Sequence, residues 1–380
     1  MYTTENRFID YVTQKHIGQI GTITKSDLKS DFASAYDAKI SAMPSFLVPN
    51  KRVLVEECCH DIPMLALKLL GHQKKHERIV AHEHRRFLGK RLALDYTRHP
   101  DLRANLYGRV DFVMSNALPK VIELNIGSPN GGWEILVYEP LYRQLNVVVD
   151  YLAHHTKEQW QTRNTLFIQF MTMVQSVIAK GLNGQSKVNF LLLLDAELID
   201  AGIEPLLAGL SAQLSQAVNQ QVNLHCFSDT QLFIEENQLL TVNGEVIHCL
   251  LDGQFEQRCD IPDFVHQLFL NDKLIWPDNP VMRALNDKRL LAALYQAKDS
   301  EIYTAKEREQ IENYVPWGCM LEQSQVIFQG HQWQLERLLS EHKDHFVIKK
   351  GLSNKGADVC IGKYVTLNEW LAFIAAVRQV

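Results

Sequence analysis

The sequence predicts a mixed α/β (α+β) protein, on three observations. Two neighbouring apolar stretches, Tyr107-Gly-Arg-Val-Asp-Phe-Val-Met114 and Val121-Ile-Glu-Leu-Asn-Ile-Gly-Ser128, are joined by the turn-forming segment Ser115-Asn-Ala-Leu-Pro-Lys120 and read as an antiparallel hairpin. Val188-Asn-Phe-Leu-Leu-Leu-Leu194, a helical run from Glu204 to Asn219, and Val222-Asn-Leu-His-Cys226 give a βαβ signature. Helical patterns occupy most of the chain on either side of the hairpin.

Taken in order, residues 1 to about 105 read as largely helical. Asp61 to Leu70 has Pro63 near its start and Gly71 just past its end. The short run Val53-Leu-Val55 reads as a strand. After the hairpin, Gly127-Ser-Pro-Asn-Gly-Gly132 is a turn-rich loop, and Trp133 to about Lys180 returns to helix. Beyond the βαβ signature, Leu239 to His248 is a second hairpin, with Asn243-Gly244 as its tight turn. Pro277 and Pro280 bracket a linker, and a helix runs from Asp287 to Lys298. Phe346-Val-Ile-Lys-Lys350 and a strand ending near Gly362 enclose a glycine-bearing loop, and a final helix spans Leu367 to Val377. This organisation predicts three domains: 1–185, 186–280 and 281–380.

With 380 residues, of which 46% are hydrophobic and 22% charged, the chain can bury a large core. A formal net charge of -5 supplies no general attraction to nucleic acid or to an anionic membrane, so neither is an expected partner. The seven cysteines include no CxxC pair, which fits reduced thiols rather than a disulfide framework or a structural zinc site. Met1-Tyr-Thr-Thr-Glu-Asn-Arg7 lacks a signal-peptide core, and the longest apolar runs are too short to span a bilayer. The expected location is therefore cytoplasmic.

The polar residues of the first hairpin carry the chemistry. Successive side chains of a strand alternate faces, so Arg109 and Asp111 share one side of the first strand, and Glu123 and Asn125 share one side of the second. Carboxylate and amide oxygens suit magnesium, which bridges nucleotide phosphates. The competing reading is an amphipathic hairpin with a polar outer face. Cys58-Cys59-His60, His82 with His84, and His154-His155 look metal-like in composition, yet none has a second pair at zinc spacing, so they read as surface or packing residues.

Together these segments resemble an ATP-grasp ligase in circularly permuted order, of the glutathionylspermidine-synthase-like branch. Three stretches carry the resemblance. Arg109-Val-Asp111 with Glu123-Leu-Asn125 and Ser128 is similar to the family's metal and acyl-phosphate segment, R-x-D followed by E-x-N. Asn286-Asp-Lys288 and Glu307 to Trp317 are similar to the entrance of the nucleotide-binding lobe. Phe346-Val-Ile-Lys349, Gly356-Ala-Asp-Val359, Gly362 and Glu369-Trp370 are similar to the phosphate-gripping hairpin and its following helix. The order is permuted because ordinary ATP-grasp chains place the lysines first and the metal ligands last.

The resemblance implies a circularly permuted ATP-grasp fold with an inserted Rossmann-like pre-ATP-grasp domain at 186–280. It also implies ATP-dependent carboxylate–amine ligation through an acyl phosphate, with ATP and Mg2+ as cofactors. In that reading Asp111, Glu123 and Asn125 hold the metal, and Arg109 is catalytic, stabilising negative charge on the transferred group. Lys288, Lys349, Ser353 and Gly356 bind the nucleotide, and Ser128 and Asn130 contact substrate. For Lys288, Asp-Lys at a helix start is also common surface chemistry. For Ser128 and Asn130, turn formation is an equal alternative.

The partners implied are a small-molecule or peptide carboxylate and an amine. A protein partner or a homo-oligomer is a further possibility. ATP-grasp chains continue past the final helix into an adenine-contacting hinge, whereas this sequence ends at Val380, so the lobe 281–380 is expected to be incomplete at its C-terminus. The rival expectation is a non-catalytic ATP-grasp-like binding or scaffold protein that acts with a partner ligase.

Overall fold

Three parallel strands, Lys187–Leu193, Gln221–Phe227 and Cys249–Asp252, form a sheet in which Lys187–Leu193 is central. This computed structural model describes residues 4–15, 22–23, 40–41, 49–72, 105–115, 118–128, 139, 142–156, 165–182, 187–254, 260–351 and 358–378. Its contacts divide the chain into two units. One comprises Met1–Val53, His99–Arg109 and Gly127–Asn279; the other comprises Leu54–Arg98, Val110–Ile126 and Pro280–Val380.

In the first unit the central strand is buried along nearly its whole length, as its unbroken apolar sequence requires. Val188, Phe190, Leu192 and Leu194 pack into one cluster with the helices Thr165–Ala179 and Glu204–Val218. These helices present Phe170, Met173, Val174 and Val177, and Leu207, Leu210 and Leu214, at helical spacing. Leu191 and Leu193 alternate to the other face and are equally buried. The expected βαβ unit is present, with Lys187–Leu193 and Gln221–Phe227 in parallel register.

The expected hairpin at 239–248 is also present. Leu239–Val242 and Glu245–Ile247 pair antiparallel across Asn243 and Gly244, whose φ values of 52° and 78° match a two-residue turn in the left-handed region. A third strand, Phe233–Glu236, joins through Asn237 and Gln238, also at positive φ. A separate helix pair, Thr4–Lys15 and Asn146–His154, packs Phe8 and Val12 against Val147, Val148 and Tyr151.

In the second unit, the strands Gly108–Ser115 and Leu118–Ile126 form a two-stranded sheet, the site hairpin; Arg109, its second residue, lies on the first unit's side of the boundary. A connection of two residues admits only an antiparallel pair. Val347–Lys349 and Val359–Ile361 form a further antiparallel hairpin, here called the lysine hairpin. It packs with Leu335–Glu341 and Leu367–Arg378 around Trp370, which is fully buried and donates its indole N–H to the Leu339 carbonyl at 2.9 Å.

One local expectation is corrected. Val53-Leu-Val55 is not a strand but part of the helix Pro49–Leu70, which begins well before Asp61 and carries Pro63 inside it. Cys58, Ile62, Leu65, Ala66 and Leu69 are buried at helical spacing, so burial over about three turns overrides the β preference of two valines. The segment between Pro277 and Pro280 holds the boundary between the two units, after Asn279. Trp276, Asp278 and Asn279 are buried, and the helix Pro280–Leu285 follows directly.

Candidate functional site

The side-chain amide of Asn286 binds the main chain of Ile126 on both sides, as a neighbouring strand would. The Ile126 N–H donates to Asn286 Oδ1 at 2.5 Å, and Asn286 Nδ2 donates to the Ile126 carbonyl at 2.9 Å. This double bond ties the Asn286-Asp-Lys288 segment to the Glu123-Leu-Asn125 strand, 160 residues earlier. Lys288, the N-cap of helix Arg289–Gln296, is thereby directed at Glu123, and its Nζ lies 3.1 Å from Glu123 Oε1. The Lys288 side chain is only 7% exposed, so this ion pair is well shielded on the cation's side.

Lys349, at the end of the first strand of the lysine hairpin, reaches the same place. Its Nζ donates to the Ile122 carbonyl at 2.9 Å. Burial pushes the Lys349 ammonium below its ordinary pKa. The Glu123 carboxylate opposes that shift, the nearby Lys288 charge adds to it, and Asp111 again opposes it. Asp111, Glu123, Lys288 and Lys349 therefore sit within electrostatic reach of one another, two anions and two cations from four separate segments of one unit.

Asn125 lies on the same strand face as Glu123, 8% exposed, and its Nδ2 is buried without a hydrogen-bond partner. An unpaired amide donor there suits an incoming oxygen atom. For magnesium, the test is the chemistry of the donor set. Among the described residues no group of three or more His, Cys, Asp or Glu side chains could hold a metal. Asp111 and Glu123 supply two hard oxygen donors, which is the number used by a magnesium ion that brings phosphate oxygens and water with it. The set fits a phosphate-bound cation and does not make a cage of protein ligands alone.

Arg109 is exposed near the start of the site hairpin. Ser128 is placed differently, in the first unit, where it is 2% exposed. Its N–H and hydroxyl both donate to Asp278, at 2.7 and 2.5 Å, and its hydroxyl also meets the Tyr107 hydroxyl. Asn130, Ser353 and Gly356 lie outside the described residues.

Three residues with evident structural work, Asp287 and Gly351 beside the site and Asp278 in the first unit, carried no role in the sequence reading. Asp287 is 3% exposed and accepts from the main-chain N–H and the guanidinium of Arg289. Gly351 accepts from the Lys288 N–H at 3.0 Å. Asp278 gathers Ser128, Tyr107 and the Asp252 N–H. Each acts through partners distant in the chain or through its immediate backbone, and neither kind of contact leaves a spacing signal in the sequence.

No family model matches the chain, and neither does any curated protein. Among solved structures one similarity is to an effector. It is a glutathione synthetase-like effector from Globodera pallida, in its apo form, with 14% identity and a TM-score of 0.46 over 79% of this chain and 69% of that one. No helix of the described residues is long and apolar enough to cross a membrane.

Proposed function

We propose that this chain is an ATP-dependent carboxylate–amine ligase, built as a circularly permuted ATP-grasp of the glutathionylspermidine-synthase-like branch. One observation carries the reading. Lys288 and Lys349, from two segments late in the chain, converge on Glu123 and Ile122 of the early strand, with Asp111 in electrostatic range. Cations and oxygen donors on one surface are what a magnesium–nucleotide complex requires.

In this reading a substrate carboxylate oxygen attacks the γ-phosphorus of ATP and ADP leaves. An amine then attacks the acyl carbon of the acyl phosphate, and phosphate leaves as the amide forms. Bound magnesium, held by Asp111 and Glu123 with the Asn125 amide oxygen, would neutralise charge on the phosphates. Lys288 and Lys349 would hold the phosphate oxygens in line, and the buried amide N–H of Asn125, which has no partner, would donate to an oxygen of the transferred group. Arg109 offers a planar fork for the negative charge of the transferred group. The family resemblance assigns Ser353 and Gly356 to the nucleotide, and Ser128 and Asn130 to the substrate.

The second reading is a non-catalytic binding or scaffold protein, and one observation favours it. Glu123 is already engaged by Lys288, an arrangement that also serves as a purely structural ion pair. A coupled assay of ADP release over a panel of amino acids, peptides and polyamines separates the two. The ligase reading expects ADP and amide in equal amounts, and Glu123→Ala should abolish both. Full turnover by Glu123→Ala would remove the metal role, and absence of ADP release across the panel would favour the scaffold.

A further inference from the structure

The two lysines are joined through their main chains as well as by their shared target. The Lys288 N–H donates to the carbonyl of Gly351, two residues beyond Lys349, and the Lys350 N–H donates to the Asp358 carbonyl at the base of the lysine hairpin. On either side of Lys288, Asp287 and Arg289 close on each other, with Arg289 Nε at 3.0 and 2.9 Å from the two carboxylate oxygens. That closed pair sits directly on Gly351. A Cβ added to Gly351 would lie 2.7 Å from Arg289 Nε and 2.9 Å from Asp287 Oδ1. Gly351 is not one of the glycines in the left-handed region, so it is needed here for room rather than for backbone freedom.

We infer that Asp287, Arg289 and Gly351 form a clasp that fixes the separation of the Lys288 and Lys349 ammonium groups, so that the site selects a ligand with two adjacent phosphates over one with a single phosphate. This rests on the nucleotide-binding reading above. The physical reason is geometric. Lysine is a compact charge on a flexible stem, so its direction must be set by where its main chain is anchored. A diphosphate engages both charges at a fixed spacing, whereas a monophosphate engages either one alone. Asp287 and Gly351 are positioning residues in this scheme: they act on the ligand through the lysines.

The test is equilibrium binding of ADP and AMP, with metal removed by EDTA, to the full chain and its variants. Wild type should bind ADP at least about tenfold more tightly than AMP. Gly351→Ala should lose about tenfold in ADP affinity while AMP affinity stays within about twofold. In a Lys288→Ala background the same change should cost less than about twofold, because no lysine remains to be positioned. Asp287→Asn, which keeps the side-chain shape, should reproduce the pattern if Gly351→Ala does not fold.

Equal losses for ADP and AMP, additive losses in the double variant, or unchanged ADP affinity in both variants would overturn the clasp. So would a wild type that does not distinguish ADP from AMP. If the binding pattern holds but no acid and amine pair yields an amide, the ligase reading fails and the clasp stands.

Discussion

The carboxylate of Asp278 accepts two hydrogen bonds from one residue, the main-chain N–H and the hydroxyl of Ser128. It also accepts from the Asp252 N–H at 2.8 Å and from the Tyr107 hydroxyl. The positions of these residues in the chain give the cluster its meaning. The chain passes between its two units five times, the last three after Arg109, after Ile126 and after Asn279. Tyr107, Ser128 and Asp278 each lie within two residues of one of these last three passages, so a single buried carboxylate holds together the first-unit ends of three of the five connecting segments. The Gly127 N–H, which donates to the Tyr107 carbonyl, adds a main-chain link between the first two.

Burial outweighs these hydrogen bonds and raises the Asp278 carboxyl from 3.8 to about 6. The folded state therefore holds this proton more tightly than the unfolded state does. Stability contributed by the protonated form is complete below the unfolded value and is lost as pH rises through about 6. At about 1.4 kcal/mol per pKa unit, the whole window is worth about 3 kcal/mol. Urea unfolding of wild type and Asp278→Asn at pH 4.5 and pH 7 checks this. Wild type should lose stability relative to the variant at the higher pH, and a difference that does not change with pH would exclude Asp278 as the titrating group.

What the sequence disclosed followed from whether the cause was local. Asn243-Gly244 announces its turn because only a few residues accept two consecutive positive φ angles. Val188 to Leu194 announces a buried strand because every side chain is apolar. Asn237-Gln238 adopts the same left-handed pair without announcing it, since glutamine carries no such preference and the pairing of Phe233–Glu236 with Leu239–Val242 imposes the turn. At the site, the alternation of Glu123 and Asn125 was legible from strand geometry. The double bond from Asn286 to Ile126 and the room required at Gly351 are set by tertiary packing, and nothing in the local residue pattern specifies either.

Asn125 offers a way to separate stability from binding. A buried amide donor without a partner costs roughly 1–3 kcal/mol, and an apolar side chain of similar branching removes that cost. Asn125→Leu is therefore expected to raise the unfolding free energy of the ligand-free chain by about 1 kcal/mol, after some loss to tighter packing. The same variant should show no thermal stabilisation by magnesium and ATP. Scanning calorimetry with and without nucleotide reads both effects. A clear destabilisation of the ligand-free chain would mean that the Asn125 amide is satisfied after all.

The helix Ala305–Tyr314 opens with a capping box in which Thr304 and Glu307 bind each other's main-chain N–H groups, while Glu307 also takes both contacts from Lys68 at 2.7 Å. One glutamate thus serves the helix end and its attachment to Pro49–Leu70. Glu307→Gln keeps the box and removes the charge pair, so it should cost less than about 1 kcal/mol, as expected of a partly exposed pair. Thr304→Ala removes the cap oxygen and should cost about 1 kcal/mol. Chemical denaturation distinguishes them, and a larger loss from Glu307→Gln would show that the Lys68 charge pair matters more than the cap.

Lys349 is held in place at a cost, since burial depresses its pKa while its ammonium is satisfied mainly by the Ile122 carbonyl and by charges nearby. Methionine keeps the unbranched stem and removes the charge. Lys349→Met should therefore leave the ligand-free chain within about 1 kcal/mol of wild type, because the lost hydrogen bond and the relieved desolvation oppose each other. ADP affinity, by contrast, should fall about tenfold or more, the worth of one charge-assisted bond to phosphate. Isothermal titration paired with urea unfolding tests the two halves together. A variant that loses stability yet binds ADP as wild type does would make Lys349 a structural residue and move the phosphate grip elsewhere in the unit.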